Sequence, residues 1–228
     1  MVLPIVQQVV HGLLPLKDGL TQNFFKLHIL TRLAWGLFGS VALTWLLFQK
    51  KLLPKPVARI VSKALFLPTF PITAMMRIGN YWTKVDDTLF LGCAPMGFMG
   101  HPDNMYKIGV RGVINMCYEY GGPTSYYERL GMKQLYLPTV DHFEPTLESM
   151  KAAMDFIQAH KDRGEKVYVH CKAAHGRAAS IALCWMMMQD GDKTAEELNA
   201  VLKSKRKVRG TLFQQPNIRA FAKTLKVQ

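Results

Sequence analysis

The chain has 228 residues and a mass of 25.8 kDa; 49% of the residues are hydrophobic and only 20% are charged. That balance excludes an intrinsically disordered chain, and four irregularly spaced cysteines exclude a disulfide scaffold. The net charge of +13 points to an anionic partner, whether a phosphate, an acidic lipid surface or nucleic acid.

The charge is unevenly placed. Residues 1–80 hold nine Lys/Arg and a single acid, Asp18, for a net of +8, whereas residues 81–228 hold twenty Lys/Arg against fifteen acids. A boundary is therefore expected near Asn80, between a basic, apolar, membrane-associated region (1–80) and a soluble domain (81–228). Residues 33–48 (LAWGLFGSVALTWLLF) carry no charge and lie between Arg32 and the pair Lys50 and Lys51. As a helix these sixteen residues span about 24 Å, short of the roughly 30 Å hydrocarbon core. Extension back to Leu27 reaches bilayer length and takes in His28 and Arg32, which snorkel outward. A transmembrane helix over about 27–48 is the expectation, with Trp35 and Trp45 at its two interfaces. An interfacial helix and a buried helix of the soluble domain are the alternatives.

A secretory signal is disfavoured, because the apolar run starts far from Met1 and no small-residue cleavage site follows Phe48. A mitochondrial presequence is weakly suggested: the first 32 residues are acid-poor but contain only one Arg. Lys50, Lys51, Lys55, Arg59 and Lys63 follow the span, against Lys17, Lys26 and Arg32 before it. This bias places the following domain on the positive side, cytosol or mitochondrial matrix. Residues 57–76 stay apolar, with Pro68 and Pro71 predicted to break any long helix, and are expected to lie along the surface or in the interface.

Beyond Asp87 the pattern alternates. Strands are predicted at 89–91, 110–116, 134–137 and 167–170, from short β-branched or alternating runs. Helices are predicted at 147–160, where Met150, Met154 and Ile157 share a face, and at 178–188, apolar enough to be central. A third is predicted at 194–202, opened by the capping box of Thr194 and Glu197. Strands alternating with helices give an α/β fold, a central sheet with helices on both faces.

The segment 167–178 (VYVHCKAAHGRA) carries the chemistry. A strand ends at His170 and a helix begins just after Arg177, with Cys171 and Arg177 six positions apart. Loop N–H groups and a helix N-terminus suit a phosphate. A thiol in that field is favoured as thiolate, the form that attacks phosphorus. Arg177 supplies a planar fork for two phosphate oxygens. A buried structural thiol is the competing reading. It suits Cys93, Cys117 and Cys184, but not a cysteine between strand and helix. A leaving alcohol needs a proton, and Asp141, on a loop after a strand, is the candidate donor. A loop Asp is more often a turn or cap residue, so its place relative to the Cys171 loop is what raises it.

The H-C-x5-R loop with an upstream loop Asp resembles the cysteine-dependent dual-specificity phosphatases. More narrowly, it resembles their mitochondrial subgroup that dephosphorylates phosphatidylglycerophosphate. The resemblance starts near Thr88 and runs to the C-terminus. It rests on 89–92 (LFLG), 111–116 (RGVINM), the pair Glu119 and Tyr120, 129–131 (RLG), 137–141 (LPTVD) and 168–173 (YVHCKA). It implies the cysteine-phosphatase fold: a central, mostly parallel sheet flanked by helices, here preceded by the membrane-associated helical segment. It implies a cysteinyl-phosphate mechanism, with Cys171 as nucleophile, Asp141 as acid and then base, and Arg177 and loop N–H groups on the equatorial oxygens. Substrate contacts are implied for Lys172, Ala173, Ala174, His175, Gly176, Glu119 and Tyr120, with no metal or cofactor. The implied partners are a phosphorylated lipid headgroup or a phosphoprotein, and an anionic membrane. The implied setting is the mitochondrial inner membrane with the catalytic domain in the matrix, or another endomembrane with that domain cytosolic.

Two departures stand out. Ala174 occupies a place where the family has Gly, and Ala178 one where it has Ser or Thr. Ala disfavours positive φ, and the missing hydroxyl predicts slow hydrolysis of the phosphoenzyme. A catalytically weak phosphate-binding protein is therefore kept as an alternative. The run Lys203, Lys205, Arg206, Lys207 and Arg209 is either a solvated helix end or a headgroup contact. Nucleic acid is not expected, because no aromatic residue interleaves with these charges.

Overall fold

A computed structural model describes residues 27–225. The presequence reading and the basic residues Lys17 and Lys26 fall largely or wholly outside them. The chain divides into two compact units, Met1–Leu52 and Leu53–Gln228. The division thus lies upstream of the expected boundary at Asn80, because residues 53–80 pack with the catalytic unit.

In the first unit, helix α1 (Leu27–Gln49) is 23 residues long and is apolar enough to cross a membrane by length and composition. At 1.5 Å per residue it is about 34 Å long, enough for a roughly 30 Å core. Apolar side chains such as Leu33, Leu37, Phe38 and Val41 are exposed, so the helix has no polar face to offer water.

The second unit opens with α2 (Lys55–Met75), which also passes the same length and composition test. Its packing argues for a different role. Ala58, Ser62, Phe66 and Phe70, spaced by four, form one buried face, and Phe66 and Phe70 cluster with Ala94 and Met96. The helix runs straight through Pro68 and Pro71 rather than breaking there. Each proline withdraws an N–H from the ladder. The carbonyls left without a ladder donor are those of Ala64 and Leu67, four residues before each proline, and packing of the buried face holds the helix together.

The sheet order is β1-β2-β5-β3-β4, formed by β1 (Trp82–Lys84), β2 (Leu89–Gly92), β3 (Val110–Cys117), β4 (Lys133–Thr139) and β5 (Lys166–His170). Only β1 runs antiparallel to its neighbour; β2, β5, β3 and β4 are mutually parallel. This is the α/β sheet that the alternating pattern predicts, in the cysteine-phosphatase arrangement that the resemblance implies. Side chains divide by the period of two. Leu89, Leu91, Val167, Val169, Ile114 and Met116 meet α5 (Leu147–Lys161), α6 (Arg177–Gln189), α7 (Ala195–Lys205) and α8 (Pro216–Leu225) on one face. Phe90, Tyr168, Val110 and Val113 meet α3 (His101–Lys107) and α4 (Thr124–Arg129) on the other. Val110 and Val113 share a face although three apart, because the register slips between Val110 and Gly112.

Helix α6 is nearly all buried, as its composition predicts, and α7 opens with the complete Thr194–Glu197 capping box. Gly92 is obligatory: a Cβ there would lie 1.9 Å from the Tyr168 hydroxyl, which donates to the Cys93 carbonyl at 2.7 Å. Central β5 therefore ends beside the ends of β2 and β3, with Gly92 and Asn115 both paired to His170. The crevice at the carboxyl ends of such strands is where α/β sheets place ligands.

Candidate active site

The loop that leaves β5 holds Cys171, and α6 begins at Arg177. Among the described residues, the N–H groups of residues 172–176 donate to no main-chain carbonyl. They remain available to an anion, and the N-terminus of α6 adds its positive end. Ala174 takes φ +52° and is fully buried, so alanine stands in the left-handed conformation that glycine would adopt freely. The Ser180 hydroxyl is engaged elsewhere, 3.2 Å from the Gly176 carbonyl and 3.0 Å from Gln215 Oε1, so it does not replace the hydroxyl absent at Ala178.

Arg177 is 3% exposed, and both of its Nη groups are engaged. Its Nη1 donates to Glu119 Oε2 at 2.8 Å and to the Thr139 carbonyl at 2.9 Å. Its Nη2 donates to Glu119 Oε1 at 2.7 Å and pairs with Asp141 Oδ1 at 2.9 Å. Burial alone would lower its pKa, but Asp141 and Glu119 outweigh burial and hold it fully charged. Both Nη groups are then saturated, and Nε is the donor left over. Where the resemblance implies substrate contacts for Glu119 and Tyr120, the structure turns both inward. The Glu119 side chain is 1% exposed and acts as a fork for Arg177. The Tyr120 hydroxyl donates to the Pro95 carbonyl at 2.7 Å, and its ring stacks on Phe66.

The turn that carries these two residues is set by Asn115. Its Nδ2 donates to the Tyr120 carbonyl at 2.8 Å, and its Oδ1 accepts from Cys117 N. The Lys172 side chain reaches α2, contacting Thr69 Oγ1 and, at 3.5 Å, the Leu65 carbonyl; it also lies over the Phe66 ring. Burial lowers its pKa, with Asp141 and Glu119 opposing. Thus Lys172, too, is directed to the scaffold rather than into the loop.

Asp141 is half-buried. Burial pushes its pKa up, but Arg177 and His142 more than offset this and hold the carboxyl below its usual range. His170 is completely buried, and neither ring nitrogen has a hydrogen-bond partner. Burial drives its pKa down to about 3, partly opposed by the adjacent Cys171 backbone, so the ring is neutral. The other thiols are core groups: burial pushes Cys93 up to about 11, and raises Cys117 and Cys184 strongly.

Sequence reading singled out His175 and the basic run with Lys207 and Arg209, but not Arg77 or the meeting of these groups at the loop. His175, exposed at the loop rim, has its Nδ1 3.3 Å from the Lys207 carbonyl, and its own carbonyl accepts from Arg209 N at 2.9 Å. Arg77 Nη2 donates to the Lys207 carbonyl at 3.1 Å. These contacts join residues up to 130 positions apart, and no local pattern marks them.

The arrangement suits a phosphate: a loop with unengaged N–H groups and a thiol, a guanidinium clamped by Glu119 and a carboxylate on that guanidinium. Comparison with known proteins agrees in extent and in kind. The family described as dual specificity phosphatase, catalytic domain, matches residues 89–219. Phosphatidylglycerophosphate phosphatase PTPMT2 of Arabidopsis thaliana is 33% identical over 136 residues, 55% of this chain and 58% of that protein. The chain thus spans little more than half that relative's length. Human phosphatidylglycerophosphatase and protein-tyrosine phosphatase 1 is 30% identical over 155 residues, 63% of this chain and 77% of that protein. The crystal structure of PTPMT1 superposes with a TM-score of 0.57 at 26% identity, covering 64% of this chain and 97% of the other. Because the matched segment spans more than half of the chain and contains the whole arrangement, the chain belongs to the dual specificity phosphatase family.

Proposed function

We propose that the protein is a membrane-anchored phosphatase. It hydrolyses a phosphomonoester through a cysteinyl phosphate, with phosphatidylglycerophosphate as substrate and phosphatidylglycerol as product. The observation that carries the chemistry is the fixed guanidinium of Arg177, held by Glu119 at the edge of a loop whose N–H groups are unengaged. The substrate class is supported by the names of the relatives and by α1, which is long and apolar enough to cross a membrane.

The saturation of Arg177 sets the order of events. An incoming phosphate dianion takes Nε and displaces Asp141 from Nη2. Asp141 then loses its cation and gains an anionic neighbour, both of which raise its pKa. A carboxyl held low in the free site therefore takes up a proton from solvent, and becomes a donor, only when substrate is present. The Cys171 sulfur attacks phosphorus as the bond to the leaving oxygen breaks, and the Asp141 proton goes to that oxygen. Water then attacks the phosphoenzyme and gives a proton to Asp141, the S–P bond breaks, and inorganic phosphate leaves with the thiolate restored. Lys50, Lys51, Lys55, Arg59 and Lys63 follow α1, which supports placing the catalytic unit in the mitochondrial matrix.

Phosphate release from phosphatidylglycerophosphate in detergent micelles and from a phosphotyrosine peptide tests this reading. The wild type releases phosphate from the lipid, and Cys171→Ser abolishes release. Asp141→Asn lowers kcat on the lipid by roughly 10²–10⁴. The loss is smaller on para-nitrophenyl phosphate, whose phenolate leaves without a proton. Turnover of the peptide in preference to the lipid overturns the lipid assignment. Equal Asp141→Asn losses on both leaving groups overturn its role as acid. Release from neither substrate by the wild type overturns the enzyme reading.

A further inference from the structure

Three segments remote in sequence bring basic groups to one rim of the loop. Arg77 lies in the turn after α2, His175 lies in the loop itself, and Lys207 and Arg209 follow α7. They are tied together through the main chain rather than through counter-ions. The Lys207 carbonyl accepts from Arg77 Nη2 at 3.1 Å and faces His175 Nδ1 at 3.3 Å, and Arg209 N donates to the His175 carbonyl at 2.9 Å. The Arg209 guanidinium lies 3.5 Å from where a Cβ on Gly176 would stand, beside the residue that precedes Arg177. The two arginines are half-buried, and His175 and Lys207 are exposed.

Among the described residues, no carboxylate forms an ion pair with any of these four groups. The acids nearest the loop, Glu119 and Asp141, are already bound to Arg177. The fully buried Arg206 adds repulsion from behind: it is bound by neutral groups, the carbonyls of Asn80 and Tyr81 and the Cys93 sulfur. Arg77 registers this crowding. Burial and then Arg206 lower its pKa, while Cys93 and Cys171 act in the opposite direction. Burial lowers that of His175, the hydrogen bond to the Lys207 carbonyl opposes it, and Arg209, Arg77 and the Lys207 charge add to the lowering. Assembling like charges is unfavourable unless an anion completes the set.

We infer that Arg77, His175, Lys207 and Arg209 form a second anion subsite at the rim of the Cys171 loop, which binds a phosphodiester of a substrate whose phosphomonoester occupies the loop. The inference rests on the phosphatase reading and narrows it to substrates with two phosphates. Phosphatidylglycerophosphate fits that description: a terminal monoester is joined through glycerol to a diester. Phosphatidic acid, with a monoester alone, does not. The subsite is a local reader of the diester, distinct from a general attraction of basic surface to acidic lipid.

The test compares kcat/KM for dioctanoyl phosphatidylglycerophosphate and dioctanoyl phosphatidic acid, in wild type and in the double variant Arg77→Gln, Arg209→Gln. Loss of two charge-assisted contacts is expected to lower the ratio of the two specificity constants by about tenfold or more. Deacylated glycerophosphoglycerol phosphate, against glycerol 3-phosphate, shows the same fall if the diester itself is read. A fall confined to the acylated pair shows attraction to the lipid surface and overturns the subsite. An unchanged ratio overturns it as well. Should the wild type hydrolyse none of these compounds, the phosphatase reading fails by itself. The subsite is then decided by titrating glycerophosphoglycerol phosphate and glycerol 3-phosphate into Cys171→Ser. About tenfold tighter binding of the former, lost with Arg77→Gln and Arg209→Gln, supports it, and equal binding overturns it.

Discussion

Ala174 combines a left-handed backbone, φ +52°, with a fully buried methyl group. Left-handed conformation costs an L-residue roughly 1–2 kcal/mol. Removing the methyl forfeits about 0.8 kcal/mol of burial, and glycine adds roughly 0.5–1 kcal/mol of unfolded-state entropy. The terms nearly cancel, so Ala174→Gly is expected to leave urea stability within about 1 kcal/mol of wild type. A loss above about 2 kcal/mol would show that the methyl packs for reasons beyond its area. The conflict was legible in the residue string, because the position of a loop glycine relative to Cys171 is a local matter. So was the pairing of Cys171 with Arg177, which one strand, one loop and one helix bring together. The partner of Arg177 was not. Glu119 lies 58 positions away, and whether it faces substrate or the guanidinium depends on how Asn115 folds the turn behind it.

At the scale of elements, α2 braces the site. Phe66 is 2% exposed and stacks on Tyr120, with ring centroids 5.1 Å apart. The Lys172 ammonium crosses its face on the way to Thr69. Arg59 and Lys63 lie over the Tyr118 ring. One helix thus touches both the loop that carries the thiol and the turn that carries Glu119. Replacing a buried Phe with Ala costs about 3–5 kcal/mol, a large part of the stability of an ordinary domain. Phe66→Ala is expected to lower the urea midpoint accordingly. Phe66→Leu, which keeps the volume filled, is expected to lose less stability yet still reduce phosphate release. A Phe66→Ala protein with the wild-type midpoint would mean that α2 is not docked. Sequence pattern placed four of the five strands and the helices α1, α5, α6 and α7. It missed β1, α3 and α4, which are three, seven and six residues long, too short for a period to repeat, and it did not place α8. It also broke α2 at its prolines, because the packing of Phe66 and Phe70 that holds the helix through them is a tertiary effect.

On the scale of the whole molecule, the charge asymmetry and α1 address the same question of where the reaction takes place. The substrate proposed here cannot leave a bilayer readily, so the catalytic unit must be held at one. Helix α1 is apolar on every side, and such a helix is stable only when lipid or protein covers it. Placing arginine at Leu37 and Val41, one turn apart near its centre, costs roughly 2.5–3.5 kcal/mol per charge on insertion scales. Extraction of membranes with alkaline carbonate reads the consequence. The wild-type chain is expected to stay in the pellet at high pH and high salt, since a spanning helix does not depend on ion pairs. The double variant Leu37→Arg, Val41→Arg is expected to move to the supernatant, with phosphatase activity on water-soluble phosphates retained. Release of the wild type by alkali would leave only a surface attachment through basic residues, which about 1 kcal/mol per charge could hold at low salt and lose at high salt.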